Sequence, residues 1–109
     1  MHLLAAEAAR IDDGDVAVDL DQSPGDIVIL SAADTELVAL ADALAGVAPD
    51  APSVRLANLG RLAHPLSVDL YLEKTVANAR LVIVRMMGGA GYWPYGLEQL
   101  RALSRSGGP

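Results

Sequence analysis

Gly88, Gly89 and Gly91 are followed at once by Tyr92, Trp93 and Tyr95, so a glycine-rich turn sits beside three of the chain's four aromatic residues. Glycine lets a backbone turn sharply, and it also lets a ligand approach closely. The flat rings can stack on a conjugated ligand or fill the core of an interface with another domain. Both readings stand at this level. Two phosphate patterns fail on the residues themselves. No Lys or Ser/Thr follows the glycines, as a Walker loop requires, and a dinucleotide fingerprint started on Gly89 and Gly91 puts Pro94 where its third small residue belongs. Arg85 lies three residues upstream, within or just past an apolar run. A buried guanidinium must be paired, so Arg85 is expected against Asp34 or against a ligand carboxylate.

The remaining chemistry-bearing residues are sparse. The two histidines are His2 and His64, and there is no cysteine. His64 precedes Pro65 at a helix start, where it can cap the helix, bind a ligand or shuttle a proton. Two isolated histidines leave no Ser–His–Asp arrangement and no His/carboxylate metal spacing. Asp12, Asp13 and Asp15 with Gly14 lack the ligand spacing of a calcium loop. No metal ligand and no cofactor is assigned to these residues.

The elements that must hold this loop alternate. His2 to Ala6 is a short apolar run that reads as a first strand. Arg10 to Asp21 is an acidic loop with room for a short strand at Val16–Leu20. Ser23-Pro24-Gly25 is a turn signal, and Ile27 to Leu30 a strand. Ser31, three residues before Asp34, suggests a capping-box start for a helix whose inner face carries Leu37, Leu40, Ala41 and Leu44, with Gly46 as a left-handed cap. Val54 to Asn58 is the next strand, and Leu59 to His64 a connecting loop or single turn. Pro65 opens a helix in which Val68, Tyr71, Leu72, Thr75, Val76 and Ala79 form one core stripe. Leu81 to Val84, apolar and β-branched, suits a central parallel strand covered on both faces. Pro94 to Ser104 makes the last helix, and Gly107 to Pro109 a frayed end. This order predicts an α/β fold: a small, open, mostly parallel four-stranded sheet with helices on both faces, a Rossmann/flavodoxin-like three-layer arrangement. The aromatic loop then lies at the carboxyl end of a strand, where ligands bind in such sheets.

The 109 residues suffice for one domain with a modest core. The net charge of −6 is unevenly spread, with eleven acidic groups against one basic in residues 1–54 and seven basic against three acidic in residues 55–109. An acidic total argues against non-specific nucleic-acid binding, while the basic second half could attract a small polyanion. No apolar run approaches the roughly 18–20 residues of a membrane helix. No export signal is visible at Met1 to Ala9, and the lack of cysteine fits the cytoplasm.

Three stretches, DIVILSAADTEL (Asp26 to Leu37), HPLSVDLYLEKTVANARLVIVRMMGG (His64 to Gly89) and GYWPYGLEQL (Gly91 to Leu100), together resemble the amino-terminal segment of the large subunit of cobaltochelatase, of the CobN and magnesium chelatase large-subunit family. The resemblance implies ATP-dependent insertion of Co2+ into hydrogenobyrinic acid a,c-diamide in aerobic cobalamin biosynthesis. It implies a large subunit that binds the tetrapyrrole and the metal, and two smaller partner subunits, one an AAA+ ATPase, that use ATP and Mg2+. It also implies that residues 1–109 are the first domain of a chain roughly ten times longer and are not catalytic alone. Gly88, Gly89, Gly91, Tyr92, Trp93 and Tyr95 carry over as a substrate-facing or domain-contact loop, and no catalytic residue carries over. A stand-alone ligand-binding domain and a structural interaction domain are the alternatives.

Overall fold

The computed structural model describes residues 16–109. The strand expected at His2–Ala6, His2 itself, and Asp12, Asp13 and Asp15 of the acidic stretch lie outside the described residues. Residues 16–25 run without regular structure, so Val16–Leu20 is not a strand.

Three strands, β1 (Ile27–Ser31), β2 (Val54–Asn58) and β3 (Leu81–Arg85), form one parallel sheet in the order β2-β1-β3. The described residues thus hold three strands where four were expected. Helix α1 (Asp34–Ala45) connects β1 to β2. A single 3₁₀ turn, Leu59–Leu62, and helix α2 (Pro65–Tyr71) lead from β2 towards β3. Helix α2 continues as a π turn, Leu72–Val76, in which the Ala77 N–H bonds the Leu72 carbonyl. A short 3₁₀ turn at Ala90–Tyr92 and helix α3 (Pro94–Arg105) follow β3.

The connections run from the central strand out to β2, then back across to β3. With right-handed crossovers, opposite directions of travel put α1 on one face and α2 with α3 on the other. Register and burial agree. Val28 and Leu30, aligned with Val82 and Val84 of β3, join a core with Ala57, Val68, Tyr71, Val76 and Trp93, against which Leu97 and Leu100 of α3 pack. Ile29 aligns with Leu56 and Ile83 on the opposite face, where Leu37 of α1 is buried. Leu81–Arg85 is therefore not a central strand covered on both sides. Among the described residues it is an edge strand, and its residues alternate exposed and half-buried.

Several local expectations change with the backbone. Ser31 does not cap α1: Ala33 is the N-cap residue and makes no side-chain cap bond. Gly46 ends α1 at φ −92°, outside the left-handed region. The C-terminal glycines form an ordered stop. The Gly108 N–H reaches the Leu103 carbonyl and the Gly107 N–H the Ser104 carbonyl, with Gly107 at φ +99°, a Schellman closure of α3.

The segment before β1 is fastened by one buried polar side chain. Gln22 Nε2 donates to the Leu56 carbonyl (3.1 Å), its Oε1 accepts from Tyr71 Oη (2.6 Å), and Thr75 Oγ1 donates to its backbone carbonyl. Burial pushes the Tyr71 hydroxyl well above its ordinary pKa, so it stays a donor. Asp19 pairs with Lys74 on the same side, which lowers the Asp19 pKa and raises that of Lys74.

Candidate functional site

The carboxyl ends of the strands carry two constellations. The first is a polar row. Asn58, Ser31 and Arg85 share one register line across β2, β1 and β3. Register alignment in a parallel ladder directs them to the same face, towards the first turn of α1. Ser31 Oγ donates to Glu36 Oε1 (2.8 Å) and accepts the Ala33 N–H (3.1 Å). Arg85 Nε donates to the same Glu36 oxygen at 2.7 Å. Asn58 Nδ2 donates to Asp34 Oδ1 (2.8 Å), while Asn58 Oδ1 accepts the Gly60 N–H (2.7 Å) and so caps the 3₁₀ turn. The Ser31 hydrogen bond, helped by Arg85, holds the Glu36 carboxyl below its ordinary pKa. Arg85 is thus not a buried cation awaiting a ligand: its side chain is 62% exposed and its partner is Glu36 rather than Asp34. β1 and β3 lead away in opposite directions here, which is the crevice position where open α/β sheets bind ligands.

The second constellation is the aromatic segment. Gly88 and Gly89 have φ of +83° and +85°, a region costly for residues with a Cβ. Gly91 has no such φ, and a Cβ there would meet nothing within 4 Å, so nothing in the described structure explains a glycine at that position. The three rings have different fates. Trp93 is 5% exposed, and its Nε1–H donates to the Leu62 carbonyl (3.0 Å). Its ring lies over Gly96, where a Cβ would fall 2.0 Å from Cε2. Tyr95 Oη donates to Asp69 Oδ1 (2.8 Å), an interaction that raises its pKa. Tyr92 is 48% exposed and is the ring most available to a ligand or partner.

These aromatics and the 3₁₀ turn after β2 enclose a cavity of about 230 Å³. Leu59, Gly60, Leu62, Ala63, Tyr92 and Tyr95 are among its lining residues. The Leu59–Ala63 wall was not anticipated as part of a site. Its signal was Asn58 two residues before Gly60, a side chain able to turn its own backbone. His64 takes the role of a cap, with Nδ1 accepting the Leu66 N–H (3.1 Å). Among the described residues no group of three or more His, Cys, Asp or Glu is placed to hold a metal ion, and no helix is long and apolar enough to cross a membrane.

The described residues therefore define an open parallel α/β domain with an aromatic-walled cavity and a polar row at its carboxyl edge. No protein-family model and no solved structure matches the chain. Among curated proteins, it is 51% identical over 102 residues to the aerobic cobaltochelatase subunit CobN of a Sinorhizobium species, covering 94% of this chain and 8% of that protein. It is 42% identical over 107 residues to the CobN subunit of Pseudomonas aeruginosa, covering 98% of this chain and 9% of that protein. The chain is homologous, over nearly its whole length, to an amino-terminal segment of CobN-type cobaltochelatase subunits. It spans less than a tenth of the length of those relatives.

Proposed function

We propose that residues 1–109 form the amino-terminal α/β domain of a cobaltochelatase large subunit. The assembled enzyme inserts Co2+ into hydrogenobyrinic acid a,c-diamide with ATP hydrolysis by two smaller partner subunits, one an AAA+ ATPase, in the cytoplasm. The observation that carries this reading is 51% identity across 94% of the chain to a protein named as an aerobic cobaltochelatase subunit. The domain is not catalytic alone, and the cobalt ion is substrate, handled by residues elsewhere in the subunit.

The role of the aromatic segment follows from size. A cavity of about 230 Å³ falls below the ~300–1,000 Å³ typical of sites that enclose a small molecule. It can hold one edge of a tetrapyrrole, such as a pyrrole ring or an acetamide arm, and not the macrocycle. Gly88, Gly89, Gly91, Tyr92, Trp93 and Tyr95 then make one wall of a site completed by the rest of the subunit. Trp93 and Tyr95 hold that wall together, and Tyr92 offers its face. Arg85 remains close enough to the loop to meet a substrate carboxylate, in exchange for Glu36.

The test is cobalt insertion by the full-length subunit reconstituted with its two partners. Tyr92→Ala is expected to raise KM for the corrin by roughly three- to tenfold, the worth of one aromatic contact, with kcat nearly unchanged. No cobalt insertion by the wild-type assembly would overturn the chelatase reading. Insertion with an unchanged KM in Tyr92→Ala would overturn the substrate-wall role alone.

A further inference from the structure

β3 is the one strand of the sheet whose outer edge is unpaired and whose α1-side face is exposed among the described residues. The outer edge of β2 is occupied, since Gln22 bonds the Leu56 carbonyl there. On β3, the Leu81 N–H and the Arg85 carbonyl bond towards β1, to the Asp26 carbonyl and the Ala32 N–H. Alternate residues of a strand present their backbone groups to opposite sides. The N–H and C=O of Val82 and Val84 therefore point away from the sheet, as an unfilled ladder. The faces repeat the pattern. On the α1 side, Leu81 and Ile83 are 48% and 39% exposed, because α1 lies over β1 and β2. On the α3 side, a groove of about 260 Å³ runs between β3 and α3, lined by Val82, Val84, Leu97 and Leu100 together with Arg80 and Arg101. Neither arginine has an ion-pair partner among the described residues.

An edge that is unpaired among the described residues, with Leu81 and Ile83 exposed on one side and an apolar groove on the other, is a template for another strand. Arg80 flanks β3 on its amino side, with its N–H bonded to the Asp26 carbonyl, and Arg85 at the other end is paired with Glu36, so neither charge blocks the outward groups of Val82 and Val84. We infer that β3 is where this domain joins the remainder of its subunit. A following segment of the polypeptide adds an extended strand to Val82 and Val84. Its apolar side chains fill the Val82–Leu100 groove and cover Leu81 and Ile83, and acidic flanks meet Arg80 and Arg101. This rests on the reading that the chain is part of a longer subunit. The occupant is argued from three features: the relatives carry more than nine-tenths of their length outside the matched segment, the order β2-β1-β3 continues naturally at β3, and the groove carries unmatched positive charge.

Hydrogen exchange with mass-spectrometric readout, compared between the full-length subunit and the 109-residue chain, tests it. In a short chain shown to be folded by slow exchange at Val28 and Leu30, the amides of Val82 and Val84 are expected to exchange fast, and at least about 100-fold slower in the full-length protein. In the full-length Leu81→Glu, Ile83→Glu variant that protection falls towards the short-chain rate, while Val28 and Leu30 in β1 stay protected. Should β1 open as well, the milder Leu81→Thr, Ile83→Thr pair replaces it. Equal, fast exchange in both proteins overturns the inference. So does slow exchange in the short chain, either as a dimer, which makes a second copy the occupant, or as a monomer, which makes residues 1–15 the cover. Cobalt insertion is measured separately, so its failure leaves this result intact.

Discussion

Replacing Gly96 by alanine separates helix propensity from packing, because the two predict opposite signs. Gly96 lies in the first turn of α3. In an isolated helix the change would stabilise by up to about 1 kcal/mol, since glycine loses more backbone entropy on folding. In the folded domain the new Cβ would stand 2.0 Å from Trp93 Cε2 and 2.1 Å from Cζ2. Those are rigid ring atoms, so the indole must leave its place or α3 must tilt. Full loss of a buried tryptophan's packing costs about 3–5 kcal/mol, and the Nε1 bond to the Leu62 carbonyl adds about 1. Because the ring keeps part of its contact after moving, the net expectation is a destabilisation of about 2–3 kcal/mol. With a urea m-value of about 1–2 kcal/mol/M, the midpoint drops by about 1–3 M. Trp93 is the only tryptophan, so its emission reports the same event and should shift to the red in the native variant. In a Trp93→Ala background, Gly96→Ala should turn neutral or slightly stabilising. A midpoint that holds or rises with unshifted emission refutes the argument, as does an equal loss in both backgrounds.

Gly88→Ala and Gly89→Ala should each cost about 1–2 kcal/mol in thermal melts, from positive φ alone. Neither should change Trp93 emission, because a Cβ at either position meets nothing within 4 Å. Tyr71→Phe removes the hydroxyl that donates to buried Gln22 and should lower stability by about 1–2 kcal/mol in urea titrations. Hydrogen exchange should rise first in residues 16–22, which that side chain fastens. Acid titration should show a contribution from Glu36. Its folded pKa is depressed below 4.5 by Ser31 and Arg85, so the stabilisation is fully present above about 4.5 and disappears as pH falls through the lower folded value. Glu36→Gln should flatten that part of the stability–pH curve, and an unchanged acid limb would show that the Ser31–Glu36–Arg85 contact contributes nothing in solution.

Much of the architecture was legible because it rests on short-range regularity. The apolar run at Ile27–Leu30 and the helix opened by Pro65 are local patterns, and both elements begin where the patterns place them, although α2 ends at Tyr71 and its π turn at Val76, short of Ala79. The alternation of strands and helices then constrains the sheet to parallel crossovers. The capping of α1 by Ser31 and the left-handed turn at Gly46 were not secure, since the same residues serve elsewhere at little cost: Ser31 bonds Glu36, and Gly46 accepts an ordinary backbone. The run at Leu81–Val84 shows a sharper limit. Its composition suits a strand buried on both faces, yet it stands at the edge, because strand order depends on where the helices cross and not on any one strand's residues.

The candidate site divides in the same way. Residue order alone gathered Gly88, Gly89, Tyr92, Trp93 and Tyr95 at the carboxyl end of one strand, and residue identity alone tied them to CobN-type subunits. Which ring is structural and which is presented could come only from the tertiary structure. Trp93 is captured by the Leu62 carbonyl, thirty-one positions away, and by the bare Cα of Gly96. The pairing of Arg85 with Glu36 instead of Asp34 was settled the same way, because the register of β1 and β3 aligns Ser31 with Arg85 over the first turn of α1. Local sequence sets what each segment prefers to be, while contacts between segments distant in the chain set which side chains are used up by the fold and which remain to meet a ligand or a partner.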